Sequence, residues 1–325
     1  MSPVKWCAAG GAEWRFAGLG GMPGASVLRV NTTFRRRRPP RLRAVAVLTG
    51  VAALLIAPGT WSPVSASTNA GSPQISLSSF RWIFHKEDFN HIRAKNPALI
   101  QQILAGPGTY VLERRKGGPP LPPRVVPVQI FYSQYGLQKT IDKNRIMPGV
   151  ELVSDDLESW TITRREERHD PITAMQSFAQ TAHDNGLRPI LVPGRDLMRV
   201  PNAVCTQPHY TISQAYLTCG LPAAAQYAPV FVIQAAAVET DLTALTQLVQ
   251  QGAQQARAAN PKVQVYATLS VSPNGATVGY GAVVKAAQAI APYVDGFSMN
   301  NVRPSDPRMI GFLQALSQAS SSSSS

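Results

Sequence analysis

From residue 125 onward, short runs of β-branched and aromatic residues alternate with stretches whose apolar positions recur at helical spacing. The runs are Val128 to Tyr132, Val150 to Val153, Pro189 to Val192, Pro229 to Ile233, Val263 to Leu269 and Val294 to Met299. Most are continuously apolar rather than alternating, the pattern of parallel strands covered on both faces. The helices between them are punctuated. Asp170-Pro171 supplies an N-cap and a first-turn proline, Ile172, Met175, Ala179 and Ala182 follow at helical spacing, and Asn185-Gly186 ends the run. Thr240 opens the next, with Leu242, Leu245, Val249 and Ala253 on one face before Asn260-Pro261; Ala282 to Ile290 and a helix started by Asp306-Pro307 repeat the grammar.

Upstream, Phe80 to Phe84 and Thr109 to Leu112 read as two further strands, with helices over Glu87 to Ala94 and Pro97 to Ala105. Eight strands joined by crossovers over roughly 240 residues predict an α/β fold of the (β/α)8 TIM-like type. An open, doubly wound parallel sheet is the alternative. Gly117 to Pro123, with four prolines in seven residues, reads as an extended loop inside the domain.

Composition limits the partners. The 325 residues are 44% hydrophobic and 15% charged, with a formal charge of +13, which at first points to nucleic acid or an anionic membrane. The positions of the charges change that. Arg35 to Arg38, Arg41 and Arg43 precede the apolar or small stretch Ala44 to Ala57 and then Val64-Ser65-Ala66, a secretory signal pattern. Its apolar part is too short to span a bilayer comfortably. Residues 1–66 are therefore expected to be leader and signal peptide, with Met22 a candidate start. Cleavage after Ala66 would remove nine basic residues and one acidic one, leaving +5 with no Lys/Arg stripe. No nucleic-acid partner and no stable membrane span after cleavage are expected. The barrel domain is assigned to residues 67–316, and the serine-rich tail 317–325 is expected to be disordered.

The same cut removes Cys7 and leaves Cys205 and Cys219, an even pair in a chain bound for an oxidising compartment. They are expected to form a disulfide.

The densest chemistry follows the Val150 run: Glu151-Leu152-Val153-Ser154-Asp155-Asp156-Leu157-Glu158-Ser159-Trp160. Strand alternation places Ser154, Asp156 and Glu158 on one face and Glu151, Val153 and Asp155 on the other. In a barrel the first set points up the lumen at the C-terminal rim, where active sites of this fold are built. Two carboxylates on one face perturb each other, so one is held protonated near neutrality, as a general acid requires. A solvated loop whose acids stabilise the next helix N-terminus is the other reading of the segment.

This segment resembles the fourth-strand Asp-x-x-Asp-x-Asp-x-Glu of chitinase-like family 18 glycoside hydrolases, with Glu151 and Ser154 standing where that pattern has its first two aspartates. The resemblance implies Glu158 as the acid that protonates the leaving glycosidic oxygen. It implies Asp156 as the carboxylate that orients the acetamido group of the substrate. A secreted protein acting on an N-acetylated polysaccharide is the function so implied. With the inner aspartate replaced by Ser154, a non-catalytic barrel binding a glycan or a protein partner is the alternative.

Other candidates lie on later strands. Gln234 and Asn300 read as rim hydrogen-bonding groups, Trp160 as a sugar-stacking ring, Ser154 as a lumen contact, and Asp196 with Arg195 as either substrate contacts or an ion pair. Tyr135, Tyr210 and Tyr216 are further stacking candidates. The long connection from Arg195 to Tyr227 reads as a stapled rim loop. The five histidines show no metal-ligand spacing, and nucleophile-elbow, zincin and P-loop signatures are missing, so neither a metal nor a cofactor is called for.

Overall fold

The computed structural model describes residues 75–114, 117–300 and 306–321. The leader and signal segment 1–66, its cleavage site and Cys7 lie outside the described residues.

Eight parallel strands close into a barrel in sequence order, a (β/α)8 TIM barrel rather than an open sheet. They are β1 (Arg81–His85), β2 (Thr109–Glu113), β3 (Val125–Phe131), β4 (Leu152–Asp155), β5 (Arg188–Leu191), β6 (Val230–Ile233), β7 (Gln264–Leu269) and β8 (Gly296–Met299). Closure is made by β1 against β8, with Trp82 opposite Phe297 and Ile83 opposite Ser298. The helices are α1 (Lys86–Lys95), α2 (Pro97–Leu104), α3 (Gln134–Asp142), α4 (Arg165–His169), α5 (Pro171–Asp184), α6 (Ile212–Thr218), α7 (Leu242–Ala259), α8 (Tyr280–Ile290) and α9 (Pro307–Ser321). Between β2 and β3 no helix occurs among the described residues. The proline-rich segment crosses there, Leu121 packing against the core.

Two apolar layers follow from strand alternation. Ile83, Leu112, Val128, Ile190, Val232 and Tyr266 fill the lumen. Trp82, Phe84, Val153, Phe231, Ala267 and Phe297 face the helices. This double burial is why the strands read as continuous apolar runs.

The helix punctuation acts as its chemistry dictates. The Asp170 side chain accepts from the Thr173 N–H at the start of α5, Pro171 occupies its first turn, and Gly186 beyond its end takes φ 70°, a left-handed conformation open to glycine without strain. The next helix starts one residue later than read, with Asp241 rather than Thr240 as its N-cap. Helix α3 buries Leu137 and packs Ile141 against the core, and its start is marked locally: the Ser133 hydroxyl accepts from the Gly136 N–H. Strand β4 lies two residues further on than its apolar run, because the ladder with β3 extends to Phe131 opposite Asp155. The tail expected from Ser317 begins inside α9, which continues to Ser321; Ser317 Oγ donates to Gln102 Oε1 at 2.7 Å, so a polar end is tied to α2 without an apolar face. Among the described residues no helix is long and apolar enough to cross a membrane.

Candidate active site

Strand β4 and the four residues after it keep the strand alternation. Ser154, Asp156 and Glu158 face a cavity of about 640 Å³ at the C-terminal mouth of the barrel, while Asp155 and Leu157 are buried on the other side. The backbone fixes this orientation. The Asp156 N–H donates to Phe131 O at 2.8 Å, the Val192 N–H to Asp155 O at 2.9 Å and the Gly194 N–H to Leu157 O at 2.7 Å, so the ladder with β3 and β5 persists beyond the regular strand. A cavity of this size at this end of the barrel suits a small ligand or a segment of a polymer.

Gly194 brings β4 and the β5 loop together. A Cβ on it would lie 2.5 Å from Asp196 Oδ1, 2.7 Å from Glu158 Cγ and 3.2 Å from Leu157 O. Glu158 and Asp196 therefore converge over a backbone position that admits only hydrogen. Asp196 is fixed from the side: its Oδ2 accepts from the Ser159 N–H at 3.0 Å and the Ser159 hydroxyl at 2.6 Å, while its buried Oδ1 has no hydrogen-bond partner. Glu158 Oε1 accepts from Gln234 Nε2 at 2.9 Å.

Crowded acids with little water titrate high. Burial pushes Glu158 up to about 8, with the charges of Asp156 and Asp196 adding to the shift and the Gln234 hydrogen bond opposing it. Burial likewise raises Asp156 to about 7, against the Arg114 guanidinium, with Asp196 reinforcing the rise. Glu158 is thus held mostly protonated at neutral pH. Arg114 lies over the Tyr132 ring, 5.3 Å from its centre, and Tyr132 in turn meets Trp160 at 5.2 Å between ring centres.

Eight residues singled out in the sequence, Ser154, Asp156, Glu158, Trp160, Arg195, Asp196, Gln234 and Asn300, line this one cavity. Asn300 is carried there by its own N–H, which donates to Leu269 O at 2.9 Å. Trp160 stands 38% exposed at the rim. The tyrosines separate: Tyr216 is fully buried, Tyr135 lies 3.6 Å beneath the Arg164 guanidinium, and Tyr210 is exposed away from the cavity lining. Arg195 and Asp196 do not pair with each other; Arg195 Nη1 donates to Ser213 Oγ at 3.2 Å. Cys205 and Cys219 are disulfide-bonded, their Cα atoms 5.2 Å apart, and the stapled connection contributes Arg199 and Ile212 to the cavity wall.

Sequence reasoning missed His85, Arg114 and Gly194. Each directly follows, ends or nearly follows a strand, so strand ends alone were a signal for them. Burial first, then the Arg114 charge, lowers the pKa of His85, which favours neutral imidazole. Among the described residues no group of three His, Cys, Asp or Glu side chains is placed to hold a metal.

Behind the cavity, Asp155 is 1% exposed and neither carboxyl oxygen has a hydrogen-bond partner; burial, then Glu167 and Asp156, hold it protonated. Glu167, in a helix whose preceding charges are exposed, is buried and accepts from the Tyr135 N–H at 3.3 Å.

No family model matches the sequence, and no curated protein matches it. Among solved structures, that of a proposed α-L-fucosidase from Bacteroides thetaiotaomicron VPI-5482 is similar at 11% identity over 81% of this chain and 98% of that one, with TM-score 0.47. A GH128 (subgroup I) endo-β-1,3-glucanase from Amycolatopsis mediterranei, in complex with laminaritriose, is similar at 9% identity over 74% and 99%, with TM-score 0.45. A Thermobacillus composti GH10 xylanase is similar at 10% identity over 60% and 63%, with TM-score 0.37. These likenesses add nothing to the strand order already described and carry no chemistry across. None of the three is described as a family 18 enzyme, so that resemblance rests on residues 151–158 alone.

Proposed function

We propose that the chain is a secreted glycoside hydrolase of N-acetylated polysaccharide, with Glu158 as general acid. The observation that carries this reading is the Glu158 carboxyl itself, set in the barrel mouth beside Gln234 and protonated at neutral pH by burial and two neighbouring acids. In the proposed reaction the acetamido oxygen of the substrate bonds to its own anomeric carbon as the glycosidic C–O bond breaks, and the Glu158 proton passes to the leaving oxygen. Water then opens the cyclic intermediate and returns a proton to Glu158. Asp156 orients the acetamido group, and the Arg114 guanidinium opposes the burial that would otherwise hold it protonated. Gln234, Asn300 and Ser154 serve as hydrogen-bonding contacts, Asp196 as the neighbour that keeps Glu158 protonated, and Trp160 as a stacking surface. The disulfide fits an oxidising, extracellular destination.

A second reading is favoured by Ser154, fully buried at the inner position with an unpartnered hydroxyl. It is a barrel that binds the glycan without cleaving it. N-acetylglucosamine oligomers incubated with the full chain and with Glu158→Gln separate the two: cleavage by the first alone supports the enzyme, and binding without cleavage by either supports the binder.

A further inference from the structure

The cavity wall also carries positive charge that no described residue neutralises by an ion pair. Arg195 and Arg199 flank one short 3-10 turn after β5, Arg195–Arg199, and both line the cavity. None of the four ion pairs among the described residues involves either of them. Arg195 is half-buried, and its one side-chain hydrogen bond among the described residues goes to a neutral hydroxyl, Ser213 Oγ. Asp196, the adjacent acid, is turned away onto Ser159. Arg199 repels Arg195 electrostatically, and Tyr216, the other group facing Arg195, is a buried neutral phenol. Arg114 differs: it faces Asp156 and covers the Tyr132 ring.

A half-buried guanidinium, Arg195, beside the exposed Arg199 and without a counter-charge among the described residues destabilises the empty site, and an anion bound by both removes that cost. The planar donors of arginine match an oxyanion with two or three oxygens. We propose that the cavity selects a glycan bearing an anionic substituent, a uronic carboxylate or a sulfate ester, and that Arg195 and Arg199 hold that group while Glu158 and Asp156 address the adjoining sugar. This rests on the glycan reading above and narrows it to acidic polymers.

The test is calorimetric titration of the full chain at low salt with three hexasaccharides: alternating N-acetylhexosamine and hexuronate, the same oligomer with its carboxyls reduced to alcohols, and a sulfated form of the reduced oligomer. Tighter binding of the uronate than of its reduced form, by about tenfold, is expected for a carboxylate on two arginines. Tighter binding of only the sulfated oligomer assigns the site to sulfate esters. In either case Arg195→Gln and Arg199→Gln abolish the preference while the reduced oligomer binds as before; Arg199 is exposed, so its variant reports even where the Arg195 variant does not fold. Equal affinity for all three, or a preference that survives both substitutions, overturns the inference and leaves the glycan reading standing. Failure of every oligomer to bind removes both.

Discussion

Gln234 Nε2, at the end of β6, donates to Glu158 Oε1, just past β4, at 2.9 Å across the mouth of the barrel, joining two residues 76 positions apart. That bond favours the ionised carboxylate and so opposes the burial that keeps Glu158 protonated. Replacing Gln234 by Leu removes the opposition and raises the Glu158 pKa above its value of about 8. The alkaline limb of the pH–rate profile is expected to move upward in Gln234→Leu, with kcat reduced. An unmoved limb means that Glu158 does not set it.

Stability should report the same two carboxyls. Glu158 rises from 4.5 to about 8 and Asp156 from 3.8 to about 7 on folding. Raised acids are protonated in the folded chain where the unfolded chain has already ionised them. Their stabilisation is therefore complete below about pH 4 and is lost as pH rises through 7 and 8. Between pH 5 and 8.5 the Tm of the wild-type chain is expected to fall, and that of Glu158→Gln to fall less. Parallel curves for the two proteins would remove the claim of a buried, protonated Glu158.

Gly194 has no room for a methyl group, since Asp196 Oδ1, Glu158 Cγ and Leu157 O already surround the position. Gly194→Ala should cost about 1–3 kcal/mol in urea unfolding through overpacking. It should also separate Glu158 from Asp196, lowering turnover more than stability predicts. A variant with wild-type turnover would show that the closeness of the two acids is incidental.

The Cys205–Cys219 bond closes a loop with a sequence separation of 14, for which chain entropy predicts a stabilisation of about 3 kcal/mol. Urea unfolding with and without a reducing agent measures it. Because the closed loop carries Ile212 into the cavity wall, the reduced protein should also bind oligosaccharide more weakly. Equal affinity in both forms would assign the bond to stability alone.

Strand positions were legible because a barrel strand is buried on both faces, which leaves a continuous apolar run such as Val263 to Leu269 and little else for that run to be. The closed form was not legible in the same way: pairing of Trp82 with Phe297 joins the first strand to the last, and no local pattern encodes it. Helix α6 escaped the helical reading because its seven residues are too few for periodicity, although Thr211 and Gln214 form a full capping box. At the site, strand alternation alone placed Ser154, Asp156 and Glu158 on one face. For Arg114 the one signal was its place directly after β2, which it shares with the basic residues that follow it in the sequence. The burial of Glu167 arises from its tertiary contact with the Tyr135 N–H, which charge patterning along a helix does not contain.

The central claim is that Glu158 delivers the proton to a glycosidic oxygen. The most direct measurement is the release of new reducing ends from N-acetylated oligosaccharides by the wild-type chain and by Glu158→Gln, with binding of the same oligosaccharides followed in parallel. Removing a general acid is expected to lower turnover by about 10²–10⁴-fold while binding is retained. Equal release by the two proteins would contradict the account.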